Sequence, residues 1–392
     1  MRPAPAWLGE HRRRRAGLTS RAMTRGISVV VATVNRPAEL QRALHAVCRA
    51  AAEVNEPVEI VVADDGGHRG TAQAVAAVAA TMEIPAQIVA VGAHPPAGPA
   101  RARNAGAAAA TYDIIAFTDD DAVCHPQWLA AALHRLRAAP HLAGVECAVL
   151  PDLGRLRRPH RARIVANRYG GGYLTAALVL RATALARVGG FRTLGPAWSR
   201  WWSVPFREDS DCALRIIEAV GPIEFEPASV VRHPVEQPGR RRHLRIASDF
   251  VGDAAYLRAH RRRLRNRWSP WARARIRLSC LAVSVLPLLG VRRTREIACG
   301  VVGAAGLAVA AHGCLELRRA GWRAPAPATA LVVLRAWPRS VAWALVAGAS
   351  RLVGEALVVS GRVPVPSAHN PAAQSGQAAA EPDESITKRC TA

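Results

Sequence analysis

Across its first 150 residues the chain alternates short β-branched apolar runs with segments of helical period, and that alternation leaves few folds open. Ile27–Thr33, Val58–Ala63, Gln87–Val91, Asp113–Thr118 and Ala143–Leu150 each read as a buried strand. Between them, helices are expected from Pro37, over Thr71–Thr81, over Pro99–Ala110 and from Pro126. In the first of these, Leu40, Ala43, Leu44, Val47, Cys48 and Ala51 fall on one face. Strands joined through helices by short connections predict an α/β fold, a mostly parallel sheet covered on both faces.

The alternation weakens after Pro151. A strand over Leu174–Arg181 and a helix over Thr183–Val188 are followed by a Trp-rich loop at 192–210. Then come a helix over Ser210–Ala219 and two short strands, Ile223–Phe225 and Ser229–Arg232. From about Arg240 the chain reads as helical and increasingly apolar. Residues 24–265 are expected to form one α/β domain, and 266–363 a helical region that packs on it or associates with a membrane. Residues 1–23 are expected to be a disordered or non-native N-terminal arm, and the polar 364–392 a disordered tail.

Half of the 392 residues are hydrophobic, enough for a sizeable core without disulfides. The eight cysteines form no CxxC pair and no zinc-ligand spacing, which fits reduced thiols in a cytoplasmic protein. Arg12–Arg15 has no apolar run behind it, unlike a secretory signal. The formal net charge is +24, but Lys388 is the only lysine, and arginine with alanine is what GC-rich coding produces. Nucleic acid is therefore not expected as a partner. The dense basic run Arg240–Arg277 lies beside apolar segments at 278–291 and 297–315, which points to an anionic membrane surface. Residues 341–359 contain Arg351 and Glu355 and read as an amphipathic helix on the inner membrane face.

The polar residues of the first half collect where strands end. Thr33 and Asn35 follow the first strand, Asp64 and Asp65 the second, and Asp119, Asp120 and Asp121 the fourth. Ligands of open parallel sheets bind at that rim. Three adjacent carboxylates repel one another unless a cation or hydrogen-bond donors offset them, and Mg²⁺ or Mn²⁺ would do so while bridging to phosphates. The plainer alternative is a solvated acidic loop capping the next helix. No GxGxxG or GxxxxGK[ST] occurs, so NAD or ATP binding of the usual kind is not expected. A second acidic group, Glu208, Asp209 and Asp211, opens a helix, either as helix-capping charge or as a source of a general base. His233 is either structural or a ligand.

Taken together, these segments resemble the inverting family 2 glycosyltransferases of the GT-A fold. VVVATVNRPAEL (29–40) is similar to their first-strand signature, with Ala32 and Val34 in place of Pro and Tyr. EIVVADDGGHRGT (59–71) resembles the second, with Gly67, His68 and Arg69 departing from it. ARNAG (102–106), the metal-binding DXD-like FTDDDAVCHPQWL (117–129), LARVGGF (185–191) and the ED-like FREDSDCALRI (206–216) follow in order.

The resemblance implies a Rossmann-like GT-A domain with a C-terminal helical, apolar extension. Its substrates would be a nucleoside-diphosphate sugar and a hydroxyl acceptor. It puts Thr33, Asn35, Arg36, Asp64, Asp65, Arg103, Asn104, Asp119 and Asp120 at the donor. Asp121, Asp119 and His233 would hold Mg²⁺ or Mn²⁺. Asp209, with Glu208, would be the catalytic pair, and Trp201, Trp202 and Asp211 would face the acceptor, with Trp198 nearby. A sugar-phosphate nucleotidyltransferase is the competing enzyme class, although the Gly-rich phosphate loop it needs is lacking. A non-catalytic membrane-associated scaffold is the third reading.

Overall fold

A computed structural model describes residues 23–67, 69–80, 84–91, 98–154, 156–192, 207–239, 253–260, 270–290 and 294–359. Its centre is an eight-stranded sheet of order β3-β2-β1-β4-β7-β6-β8-β5. The strands are β1 (Thr24–Thr33), β2 (Val58–Asp64), β3 (Ala86–Ala90), β4 (Tyr112–Asp119), β5 (Val123–Cys124), β6 (Gly144–Asp152), β7 (Leu178–Arg181) and β8 (Ile223–Pro234).

The first half of the sheet is the Rossmann-like half. Strands β1 to β4 pair in parallel, with helices α1 (Pro37–Ala51), α2 (Arg69–Ala79) and α3 (Pro99–Ala109) as crossovers. All six residues assigned to the apolar face of α1 are buried. Alternation within the strands feeds two cores. Val29, Val31, Ile60, Val62, Ile114 and Ala116 pack against α1 and α4 (Trp128–Ala138). Val30, Val61, Ile115 and Phe117 pack on the other face against α3, α5 (Ala182–Arg187) and α6 (Glu208–Ala219). Each such fully buried Val, Ile or Phe side chain contributes about 1.5–3 kcal/mol.

The second half departs from the expected parallel arrangement. Strand β7 runs antiparallel to both β4 and β6, and β5 antiparallel to β8. Parallel neighbours require a crossover, usually a helix. Between β6 and β7 the described chain offers only 3₁₀ turns at Pro159–Arg161 and Thr175–Ala177, so it re-enters the sheet from the rim. The two short strands expected near 223–232 are one strand, β8, parallel to β6. Its register shifts opposite Cys147/Ala148, where Pro227 interrupts the ladder because it has no N–H to donate. The strand expected over Leu174–Arg181 is shortened to its last four residues.

Three helices follow: α8 (Pro270–Ser284), α9 (Arg295–Arg319) and α10 (Ala326–Val359). Residues 341–359 are therefore the end of a 34-residue helix rather than a separate element. The helices pack together through Ala282, Ala305 and Ala344, and Trp337 Nε1 donates to Gly303 O at 3.0 Å. Arg319-terminated α9 and the stretch 326–353 of α10 are each long and apolar enough to cross a membrane. Ile297, Leu307, Leu334 and Trp337 lie exposed on them. A short helix, α7 (Asp253–Ala259), joins this bundle to the core. Its Tyr256 is buried among Cys212, Leu185 and Phe191, and Arg258 meets Glu355 of α10 at 3.1 Å.

Candidate active site at the carboxyl ends of the strands

Parallel pairing of β1 with β4 sets Ala32 beside Asp119, so the loops after the two strands face each other. Thr33 Oγ1 donates to Asp120 Oδ2 at 2.8 Å. Arg36 reaches Asp120 at 3.2 Å and Asp121 at 2.7 Å. Burial pushes the Asp120 carboxyl up to about 6, against the pull of Arg36 and Thr33 and with the neighbouring acids adding to the rise. Asp120 is thus the buried anchor of the three, while Asp121, which shares Arg36 with it, and Asp119 are less buried.

Asp119 and Asp121 meet His233, the penultimate residue of β8. His233 Nε2 is 3.7 Å from Asp119 Oδ2 and 3.6 Å from Asp121 Oδ1. One ligand atom from each of the three residues lies within 4.8 Å of the others. The ring's Nδ1 is 3.0 Å from Pro234 O; a carbonyl only accepts, so Nδ1 carries the hydrogen and Nε2 is left facing the acids. Two carboxylate oxygens and an imidazole nitrogen with its second nitrogen fixed in this way fit a divalent ion.

The second-strand acids are buried and build loops. Asp64 Oδ1 accepts from the N–H groups of Gly66 and Gly67 at 2.9 and 3.1 Å. Asp65 Oδ2 accepts from Gly98 N at 2.5 Å, which ties the start of α3 to the rim. Asn35 adopts φ 53° and packs directly on Gly66, closing the corner between the first two loops.

Helix α3 lies unusually close to the sheet because Gly106 has no side chain; a Cβ there would stand 2.5 Å from Val30 Cγ1. That proximity presents Arg103 and Asn104 to the rim. Arg103, 7 % exposed, spans the site: Nη2 is 3.2 Å from Asp119 Oδ1 and Nη1 is 3.0 Å from Glu208 Oε1. Asn104 exchanges two hydrogen bonds with Phe191, donating to its carbonyl at 2.7 Å and accepting from its N–H at 2.8 Å. Gly190, at φ 77°, leaves room for that amide; a Cβ would fall 2.4 Å from Asn104 Oδ1. Asn104, expected at the donor, is therefore committed to the turn after α5.

Helix α6 starts at the pair Glu208–Asp209, after Arg207 in the left-handed region at φ 70°. Glu208 is turned onto Arg103, whereas Asp209 keeps part of its surface open and accepts from Ser210 N at 2.7 Å. Burial and the adjacent Glu208 charge push the Asp209 carboxyl up to about 7, opposed by Ser210 N, Arg103 and Arg207.

Asp211 corrects an expectation. It has no exposed surface, so no acceptor can touch it. Arg192 holds both its oxygens at 2.7 Å, Arg215 Nε lies 3.0 Å from Oδ2, and His260 Nε2 lies 2.9 Å from Oδ1. Arg192, Arg215 and the imidazole keep its carboxyl well below the usual range. Sequence reasoning missed these partners; the one available signal was the i,i+4 spacing of Asp211 and Arg215 on a helix. It also missed Glu146, buried under the Gly170–Gly172 turn, where it accepts from Asn167, Gly171 and Tyr173. Trp198, Trp201 and Trp202 lie outside the described residues.

Residues 28–193 match the model of the family described as glycosyl transferase family 2. Over that segment the chain is similar to a family 2 glycosyltransferase domain. The mixed sheet with its Rossmann-like half meets the fold expected of that domain, and Thr33 through Asn104 and Asp119 through Asp121 fall inside the match. The pre-mycofactocin glycosyltransferase of Mycobacterium tuberculosis is 29% identical over 153 residues, 35% of this chain and 30% of its own length. The chain thus matches under a third of the length of that curated relative. Among solved structures, a mannosyltransferase from Pyrobaculum calidifontis, in complex with GDP-Man and Mn²⁺, is similar at 21% identity. That match covers 88% of this chain and 94% of the other, with a TM-score of 0.48. S. aureus TarS 1–349, in complex with UDP, is similar at 14% identity over 86% and 92% of the two chains, with a TM-score of 0.42. The second acidic group, at Glu208 and Asp209, and His233 lie beyond the matched segment.

Proposed function

We propose that this protein is a metal-dependent, inverting glycosyltransferase that moves a sugar from a nucleoside-diphosphate donor to a hydroxyl acceptor. The observation that carries the reading is the bridge made by Arg103. It joins the Asp119–Asp121–His233 cluster on one side of the rim to the Glu208–Asp209 pair on the other.

Donor and base then share one cleft. Thr33, Asn35, Asp64, Asp65 and Arg103 would enclose the nucleoside, with Asp119 near the ribose. Asp119, Asp121 and His233 would hold Mg²⁺ or Mn²⁺, which supplies charge stabilisation for the departing diphosphate. Asp209 would take the proton of the acceptor hydroxyl as that oxygen attacks the anomeric carbon from the face opposite the leaving group. One bond forms as the other breaks, and the configuration inverts. Arg103, between the two acidic groups, holds them at a fixed separation and limits their mutual repulsion.

Thermal unfolding with a panel of nucleoside diphosphates, with and without Mn²⁺, tests the donor site without knowledge of the acceptor. A ligand at about 100 times its Kd adds about 2.7 kcal/mol. For a domain of this size that is a rise of roughly 5–10 °C. The expected result is a rise with one base, dependent on Mn²⁺ and absent in Asp121→Ala. A well-folded sample that responds to no nucleotide would move the reading to the non-catalytic scaffold.

We also propose that α8–α10 set the domain on the anionic cytoplasmic face of the plasma membrane. Exposed Ile297, Leu307, Leu334 and Trp337 on two long apolar helices support this. The full chain should pellet with vesicles containing anionic lipid and stay in solution without them. Equal recovery in the supernatant under both conditions would remove the membrane from the proposal.

A further inference from the structure

Arg36 occupies an unusual position among the acids. It lies on the loop after β1, and its guanidinium reaches across to the loop after β4, 2.7 Å from Asp121 Oδ2 and 3.2 Å from Asp120 Oδ1. Asp121 has its other oxygen, Oδ1, turned to His233. One carboxylate is therefore shared between a cation already present, Arg36, and the place proposed for a divalent ion. Arg36 is 43 % exposed at the side chain, so it can leave without unpacking the core. Arg103, the other guanidinium at the cluster, is 9 % exposed at the side chain and held on its far side by Glu208, so it cannot.

Charges this close interact strongly even at the effective dielectric of a protein surface. A divalent ion on Asp121 and a guanidinium on the same carboxylate oppose each other. An incoming diphosphate, by contrast, brings oxygens that a planar guanidinium binds well.

From these observations we infer that Arg36 is a displaceable counter-cation. It holds Asp121 while the donor is absent, weakens binding of the ion alone, and transfers to the diphosphate when ion and nucleotide arrive together. Arg36 would thus be a positioning residue that couples metal affinity to nucleotide affinity, a coupling that is reciprocal by linkage. The inference rests on the metal site proposed above.

The test measures Mn²⁺ alone by the loss of its free-ion electron paramagnetic resonance signal, on the full chain, for wild type, Arg36→Met and Arg36→Lys. Removing the charge should tighten Mn²⁺ binding about tenfold. At saturating Mn²⁺, the same Arg36→Met protein should bind the nucleoside diphosphate identified by thermal shift about tenfold more weakly. Arg36→Lys keeps the charge and should leave Mn²⁺ affinity near wild type. Opposite signs for the two ligands are what a merely structural arginine would not give. Mn²⁺ bound equally or more weakly by Arg36→Met overturns the inference with the metal site intact. Tighter Mn²⁺ with unchanged nucleotide affinity overturns the transfer to the diphosphate. No Mn²⁺ bound by any of the three proteins removes the metal site itself, and the inference with it.

Discussion

Asp209→Asn should lower turnover by about 10²–10⁴-fold, the usual worth of a general base, while donor affinity stays near wild type. The substitution keeps size and one acceptor oxygen, so the contact with Ser210 N can persist. What it removes is the capacity to take a proton. The pH profile gives a second readout of the same group. Burial and Glu208 raise the Asp209 carboxyl to about 7. A base works in its ionised form, so kcat/KM of the wild type should climb as pH rises toward about 7 and level off above it. Near wild-type turnover in Asp209→Asn, or a flat profile across that range, would take Asp209 out of the role.

The second large effect is expected at Asp211. Two guanidiniums and an imidazole converge on a carboxylate with no accessible surface. In Asp211→Asn the shape is kept, but the charge is lost and one acceptor oxygen becomes an NH2 that faces the donors, leaving Arg215 as a buried cation and Arg192 as a half-buried one. Breaking a buried ion pair from one side costs about 3–5 kcal/mol. That corresponds to a fall in Tm of roughly 8–15 °C for a domain of this size, measurable by calorimetry or by chemical denaturation. The pH dependence has a definite sign. The folded carboxyl titrates below its unfolded value, so its stabilisation is complete above about pH 4 and is lost as pH falls further. An unchanged Tm combined with a raised acceptor KM would return Asp211 to the acceptor site.

How much of this could be read beforehand depended on the range of the interactions. The strands β1, β2 and β4 and the face of α1 follow from period and composition, which are local. The rim location of Asp64, Asp65 and Asp119–Asp121 follows from strand direction alone. Roles within the cluster did not follow. Asp120 differs from its neighbours in its burial and its bond to Thr33, a matter of backbone course after β4. The antiparallel direction of β7 was not legible, because a short apolar run such as Leu178–Leu180 reads the same in either direction. Asp211 read as helix-capping charge or an acceptor-facing residue, since one of its partners, His260, lies 49 residues downstream. Asn104 likewise read as a ligand-binding amide until the turn at Phe191 came to lie against it.

The Asp211 knot also bears on how such a protein can be divided and recombined. The family match ends at residue 193, one residue past Arg192. Arg192 lies inside the match, while Asp211, Arg215 and His260 lie outside it. The folded unit is therefore larger than the matched segment. Any lineage that exchanged the C-terminal helices of this chain for others would have to supply a new donor to a carboxylate sealed in the core. At α7 the bundle is tethered, through His260 and Asp211, to the helix that carries Asp209.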